Sequence, residues 1–339
     1  MAYTYTNFDV SDDIVSEVSE IQTAPIWSDN TATLSAFFTS SAQSGSANVN
    51  SYLDILDGTT ATATSQFSIT YGHYAGSGSA DYDNTSKPGV SPTRAIYGQY
   101  ANMLLADGTD KFTVGGSEID DILVINVNRA RFKEQLDPGN WQLNLDGNGK
   151  QFSDVLHLVD SSDSATSTIN EAGRVYDIVS GSITNGPFST AASHSFGKVF
   201  VDQGVLVLDP TKLANATTYV RTVGSNAFGD NVASFLNTIT GSAVGATPKF
   251  TARNKEEVKS THYFVRVKNQ AYNYSDNPTF VTGSDATLRY ADFKNNPNTY
   301  ITTVGMYDDN DNCLAIAKLS KPLLKSFSRE ALIKVKLEY

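Results

Sequence analysis

Five consecutive residues, Asp308-Asp-Asn-Asp-Asn312, alternate oxygen ligands in the way a hard cation such as calcium favours. The loop fails as an EF-hand, because its sixth position is Cys313 where Gly is needed and its twelfth is Leu319 where a bidentate Glu is needed. A hairpin tip explains the same residues, since Asp and Asn close turns with their own side-chain oxygens. His73, His157, His194 and His262 are dispersed, and none has a second His or Cys at zinc half-site spacing. Ser193-His194-Ser195 could set a nucleophile beside a base, but no G-x-S-x-G elbow frames it and a chain with 36 Ser produces such neighbours by chance. The acid pairs Asp12-Asp13 and Asp120-Asp121 could do glycosidase chemistry if both carboxylates faced one sugar. Adjacent residues on a strand point to opposite faces, so surface charge or capping suits them better. Gly76-Ser-Gly-Ser79 lacks the strand-to-helix frame and the Lys of a phosphate loop. Arg129-Ala-Arg131-Phe-Lys133 could meet an acidic partner or simply guard a sheet edge. No residue is therefore assigned a catalytic, cofactor-binding or metal-ligating role, no cofactor is expected, and the chain reads as a non-enzyme.

The elements that would carry these residues are mostly short strands. Ser11-Asp12-Asp13 reads as a helix N-cap before Ile14, Val18 and Ile21 at helical spacing. Ser91-Pro92 predicts a second helix, from Pro92 to about Ala106, with Ile96, Tyr97, Tyr100, Met103 and Leu104 on its apolar face. Strands are predicted at Phe112–Val114, Ile122–Val127, Trp141–Leu145, Val155–Val159 and Val175–Val179, with a turn at Asp137-Pro-Gly-Asn140. Lys198–Val201 and Val205–Leu208 form a tight hairpin ended by Asp209-Pro210, and Asp230 caps a helix bearing Val232, Phe235, Leu236 and Ile239. Tyr263–Lys268 is a strand, Tyr300–Tyr307 and Cys313–Lys318 flank the acidic loop as a hairpin, and Leu332–Tyr339 alternates as a strand with one buried face. The fold class is mainly β or α+β: antiparallel, sandwich-like sheets with a few short helices.

Composition bounds the remaining options. The 339 residues are 40% hydrophobic and 18% charged, with 36 Ser, 34 Thr, 17 Tyr and 17 Phe, which excludes a disordered chain and favours strands. Three regions follow: an acidic Ser/Thr-rich stretch at 1–90, a central strand-rich domain at 91–250 and a C-terminal β-rich domain at 251–339. Residues 1–86 hold ten acids and no Lys or Arg, so they carry −10 of the net −11. Such a segment cannot grip phosphates, whereas a basic protein surface would attract it. The low-charge run Thr31–Ser65 is expected to pack on something rather than hang free. No leader and no apolar run of membrane-spanning length is visible, so neither nucleic acid nor membrane is expected as a partner. Lone Cys313 forbids an intrachain disulfide and fits synthesis in a reducing cytoplasm, which makes the sequons at Asn84, Asn215 and Asn273 chance matches.

Several longer phrases are familiar. Ser91-Pro-Thr-Arg-Ala-Ile-Tyr97, Asp121-Ile-Leu-Val-Ile-Asn-Val-Asn-Arg-Ala-Arg131 and Asp137-Pro-Gly-Asn-Trp-Gln-Leu143 resemble virion structural proteins of T-even-like contractile-tailed phages. So do Tyr263–Asn269, Tyr272–Phe280, Tyr300–Tyr307 and Ala315–Pro322. The likeness is greatest to the baseplate wedge proteins and is concentrated in residues 91–145 and 260–339. The resemblance implies a non-enzymatic assembly subunit of the tail, a homodimer that binds other tail or baseplate proteins, made in the host cytoplasm and resident in the virion. A carbohydrate- or receptor-binding tail protein is the alternative, with Trp27, Trp141 and the tyrosines as stacking platforms.

Overall fold

The computed structural model describes residues 7–9, 11, 13–39, 52–77, 91–147, 149, 154–163, 165–189, 194–224, 228–241, 244, 249–283 and 286–338. In chain order, strands β1 (Ile14–Pro25), β2 (Thr33–Leu34), β3 (Phe38–Thr39), β4 (Tyr52–Leu56) and β5 (Ser65–His73) precede helix α1 (Pro92–Leu104). Then come β6 (Thr113–Val114), β7 (Ser117–Glu118), β8 (Asp121–Val127), β9 (Gln135–Leu136), β10 (Gln142–Asp146), β11 (Val155–Asp160) and β12 (Thr168–Asn170). They are followed by β13 (Gly173–Ser182), β14 (Gly186–Pro187), β15 (Gly197–Phe200), β16 (Val205–Leu208), α2 (Pro210–Ala216) and α3 (Phe228–Ile239). The last elements are β17 (Phe250–Thr251), β18 (Arg253–Val267), β19 (Val281–Thr282), β20 (Thr287–Leu288), a 3-10 turn at Ala291–Lys294, β21 (Thr299–Tyr307), β22 (Cys313–Lys325) and β23 (Ala331–Glu338). The protein is mainly β with antiparallel pairing and three short helices among the described residues, as its composition leads one to expect.

Two compact units divide the chain. One comprises residues 22–256, and the other joins residues 1–21 to residues 257–339. β1 and β18 each run from one unit into the other.

The larger unit is built on a thirteen-stranded sheet whose main path is β2-β17-β10-β11-β13-β15-β16-β8-β5-β4-β3. It curls into a half-barrel. Phe67 on β5 consequently meets Phe250 on β17 edge to face at 5.5 Å, although six strands separate them in the sheet order. Trp27 lies against both rings, 6.0 Å from Phe67 and 5.2 Å from Phe250. The central strands are covered on both faces, so their sequences are continuously apolar rather than alternating. On β8, Leu123, Ile125 and Val127 face the inner cluster with Leu206 and Leu208 of β16, while Ile122 and Val124 join Val205 and Val207 in an outer cluster. α2 and α3 fill the inside with Leu213, Val232, Phe235 and Ile239. α1 closes the outside with Tyr97, Tyr100, Ala101 and Leu104.

Local chemistry explains these helices. Pro92 occupies the first turn of α1, where its missing N–H costs nothing. Asp209 ends the β15–β16 hairpin and also caps α2, its carboxylate accepting from the N–H groups of Thr211 (2.8 Å) and Lys212 (3.2 Å). α3 starts at Phe228, which puts Asp230 within its first turn rather than at the cap. The low-charge segment after Thr31 is packed where it is described: Leu34, Leu53 and Ile55 are buried, and Phe37 meets Phe67 edge to face at 5.3 Å.

The expectation for the N-terminal helix is overturned. Ile14–Ile21, read as a helix after a Ser11 cap, belongs to strand β1, which pairs with β18. Nearly every β1 residue is exposed, so no helical apolar stripe is buried to repay helix formation, and β-branched Ile14, Val15, Val18 and Ile21 favour the extended form. Asp13, expected in a cap, instead accepts the Arg266 N–H at 3.0 Å, and Asp12 lies outside the described residues.

The smaller unit has a modest core of Val267, Ala331 and Ile333, with Ile301, Val304 and Val335 against it. β23 alternates buried or half-buried Ala331, Ile333, Val335 and Leu337 with exposed residues, as its sequence pattern requires. Lys325 is fully buried, its ammonium donating to the carbonyls of Asn269 (2.9 Å) and Ser326 (3.1 Å) and to Asn273 Oδ1 (3.1 Å).

The contact of α1 with β5 depends on Gly72, where a Cβ would stand 2.9 Å from the Tyr97 nitrogen and 3.1 Å from its Cα. We predict that Gly72→Ala lowers stability by about 1–3 kcal/mol, as overpacking does. Gly58→Ala, with nothing within 4 Å of the added carbon, should stay within about 0.5 kcal/mol of wild type in the same urea titration.

Candidate functional site

A cluster of charged and polar groups lies at the adjoining ends of β5 and β8. Antiparallel register sets His73 opposite Asp121. Because neighbours on an extended strand diverge, Asp120 turns outward to Lys111 (2.8 Å), while Asp121 turns inward and is buried. There Asp121 receives the Nε–H of Arg221 and, at 3.2 Å, the hydroxyl of Tyr71. Arg221 belongs to the segment between α2 and α3, which Asn231 also ties down. Its side-chain oxygen accepts the Tyr219 hydroxyl (2.8 Å) and the Thr222 N–H (2.9 Å), and its amide donates to the Thr222 carbonyl (2.7 Å).

Burial, reinforced by the Asp121 charge, pushes the Tyr71 phenol far above its ordinary value, and burial does the same to Tyr219. Burial lowers the His73 imidazole despite the opposing pull of Asp121 and Asp120. The Lys111 hydrogen bond holds the Asp120 carboxyl below the usual range. The cluster thus contains a neutral imidazole, protonated phenols and an ion pair whose partners already satisfy one another. It fastens the Arg221 segment to the strand ends.

Other candidate residues are separated. His157 sits opposite Asn144 across β10 and β11, with Nδ1 2.6 Å from the Asn144 Oδ1, and burial lowers its pKa. His194 is exposed, whereas adjacent Ser195 is buried and its hydroxyl donates to the Gly197 carbonyl at 2.9 Å. His262 lies in β18, and its Nε2 is buried without a hydrogen-bond partner among the described residues. Ser193, Gly78, Ser79 and Asn84 fall outside the described residues. Among the described residues no group of three or more His, Cys, Asp or Glu is arranged to hold a metal ion. In the acidic loop, Asp308 Oδ1 accepts the N–H groups of Asn310 (2.9 Å) and Asn312 (2.8 Å), and Oδ2 accepts the Asn312 amide (2.9 Å), so this carboxylate closes the turn.

The basic cluster is engaged locally. Arg129 donates to the carbonyls of Phe132 and Lys133 and stacks over the Phe132 ring at 4.8 Å, and Lys133 pairs with Glu256. Trp27 and Trp141 are both buried, so neither is a stacking platform, and the exposed aromatic surface consists of residues such as Tyr272, Tyr274, Tyr290 and Tyr300. A polar groove of about 530 Å³ is lined by Asp160, Ser162, Arg174, Tyr176, Asn185 and Lys255 among others. Asp160 is occupied by the N–H groups of Gly139 and Ser162, both at 2.9 Å, and Arg174 pairs with Asp202 at 3.1 Å.

Sequence reasoning picked out His73 and Asp121 but neither their pairing nor Arg221, Tyr71 or Tyr219, which are separated by up to about 150 residues and share no local signature. No family model, curated protein or solved structure matches the chain.

The buried groups make two expectations measurable. Arg221→Met should cost about 3 kcal/mol by leaving the Asp121 carboxylate buried without its cation. The double variant Asp121→Asn/Arg221→Met should be less destabilised than that single variant in denaturant titrations. Second, His73 and His157 protonate more readily when unfolded than when folded, so stability should fall as pH drops through the ordinary histidine range near 6.5. His157→Gln should reduce the difference between unfolding midpoints measured on the two sides of that range.

Proposed function

We propose that this chain is a structural subunit of a contractile phage tail, a component of the baseplate wedge that acts through protein–protein contacts. The observation that carries this reading is the resemblance of the sequence phrases in residues 91–145 and 260–339 to those virion proteins. The surface chemistry supports it: residues Tyr300 to Leu324 contain no buried side chain, and they expose Tyr300, Leu314, Ile316 and Leu323. Apolar groups displayed on strand edges suit subunits whose surfaces are covered by neighbours.

In this reading the partners are other tail or baseplate proteins and a second copy of the chain, the site of action is the virion, and no reaction is catalysed. The acidity of residues 1–86 is partly spent within the chain, since Asp13 contacts the Arg266 backbone, Glu20 lies 3.9 Å from Lys336, and Asp57 accepts from Ser28 and Thr64.

Tails purified from particles carrying a tagged copy provide the test. Mass spectrometry should find the chain in a fixed ratio to the other baseplate components, and particles lacking it should have incomplete baseplates. Recovery of the chain only as free protein, with tails complete in its absence, would overturn the proposal.

A further inference from the structure

The hairpin β21–β22 stands apart from every other sheet in the described structure. β22 pairs only with β21, so the outer edge of its thirteen residues has no strand partner among the described residues. A lone two-stranded hairpin is marginal in water. This one touches the small core through Ile301 and Val304 of β21. Beyond them, Tyr307 folds its ring over Gly305, where a Cβ would come within 2.8 Å of it. Ile316 is the cross-strand partner of Gly305 and is 64% exposed, and Leu314, in the bulge beside it, is 60% exposed.

Charge is segregated along the same edge. The tip carries Asp308, Asp309 and Asp311, the stretch Cys313-Leu-Ala-Ile-Ala317 is uncharged, and Lys318 and Lys321 follow. The hydrogen bonds donated by Asn312 and Asn310 hold the Asp308 carboxyl below the usual carboxylate range. Neither lysine forms an ion pair among the described residues. Lysine and proline on an edge normally deter strand addition, and Lys318, Lys321 and Pro322 would do so at the base of the hairpin. The five residues between tip and base have no such guard.

We infer that the β22 edge is an interface for a second copy of this chain, docked antiparallel about a two-fold axis near Ala315. Asp311, in the tip turn, and Lys318, on β22, are seven residues apart, at most about 23 Å, and Ala315 lies close to their midpoint in sequence. An antiparallel copy centred there lays Leu314 against Ile316 and brings each acidic tip opposite the partner's Lys318 and Lys321. The edge is therefore complementary to itself in one orientation, while a parallel copy would set acid against acid and lysine against lysine. This inference rests on the homodimer of the proposed function and adds its surface and register.

Sedimentation of the full-length protein tests it. The wild type should dimerise, Lys318→Glu/Lys321→Glu should weaken the dimer at least tenfold, and adding Asp309→Lys/Asp311→Lys should restore it. With Cys313→Ser as background, Ala315→Cys should form an interchain disulfide under mild oxidation, because residues at the axis face one another. Circular dichroism confirms that each variant is folded. A monomeric wild type would overturn the inference, as would a dimer that is indifferent to charge reversal and does not cross-link at position 315. These results are independent of whether the chain enters tails, so a chain absent from particles could still form this dimer, and a tail subunit could still lack it.

Discussion

Burial of the central strands on both faces is the constraint on which the larger unit depends. β5, β8 and β16 lie between an inner cluster closed by α2 and α3 and an outer cluster closed by α1. Each apolar side chain removed from water on either face contributes about 1.5–3 kcal/mol, and these strands supply side chains to both sides at once. A slip of one residue in β8 would exchange Leu123 and Ile125 for Ile122 and Val124 and so disturb both clusters together. Curling brings the β17 and β5 regions within ring contact, and Trp27 occupies the space where they meet.

The same constraint shapes the polar groups. A carboxylate at position 121 points into the interior because strand alternation directs it there, and a buried charge must be paired. Arg221 supplies the cation, Tyr71 adds a hydrogen bond, and the segment carrying Arg221 is fixed as a result. His73, at the partner position on β5, is held neutral in the same surroundings. The buried ion pair is the consequence of starting β8 with an acid at the margin of a core.

Local patterns were readable wherever a neighbour in sequence was also the partner in space. Pro92 at the start of α1, the turn joining β15 to β16, the Asp308–Asn312 tip and the alternation of β23 are all of this kind. β1 misled because residues 14, 18 and 21 fit a helical spacing, whereas the decisive partner is β18, more than 230 residues away. The neighbours of β8 in the sheet, β5 on one side and β16 on the other, have no sequence signature, and neither has the choice of Arg221 for Asp121. Burial of Lys325 was hidden for a similar reason: its acceptors, Asn269 and Asn273, lie more than fifty residues upstream. The site consists of these long-range choices, so composition and spacing could supply its members but not their arrangement.

The two units solve the problem of stability differently, and the contrast bears on function. The larger unit encloses Trp27, Phe67, Trp141, Phe235 and Phe250 in its core and orders its helices around it. In the smaller unit, a cluster of only three buried apolar residues, Val267, Ala331 and Ile333, lies beside a long hairpin with no buried residue between Tyr300 and Leu324. Lys325 compensates at the hairpin base by joining the 269–273 loop to the Ser326 turn through three hydrogen bonds, a fixed attachment rather than a core. Ordering such a hairpin costs conformational entropy that its own contacts repay poorly, whereas pairing along its edge would supply both main-chain hydrogen bonds and apolar burial. In the proposed dimer the smaller unit would thus gain by association what the larger unit draws from its own clusters.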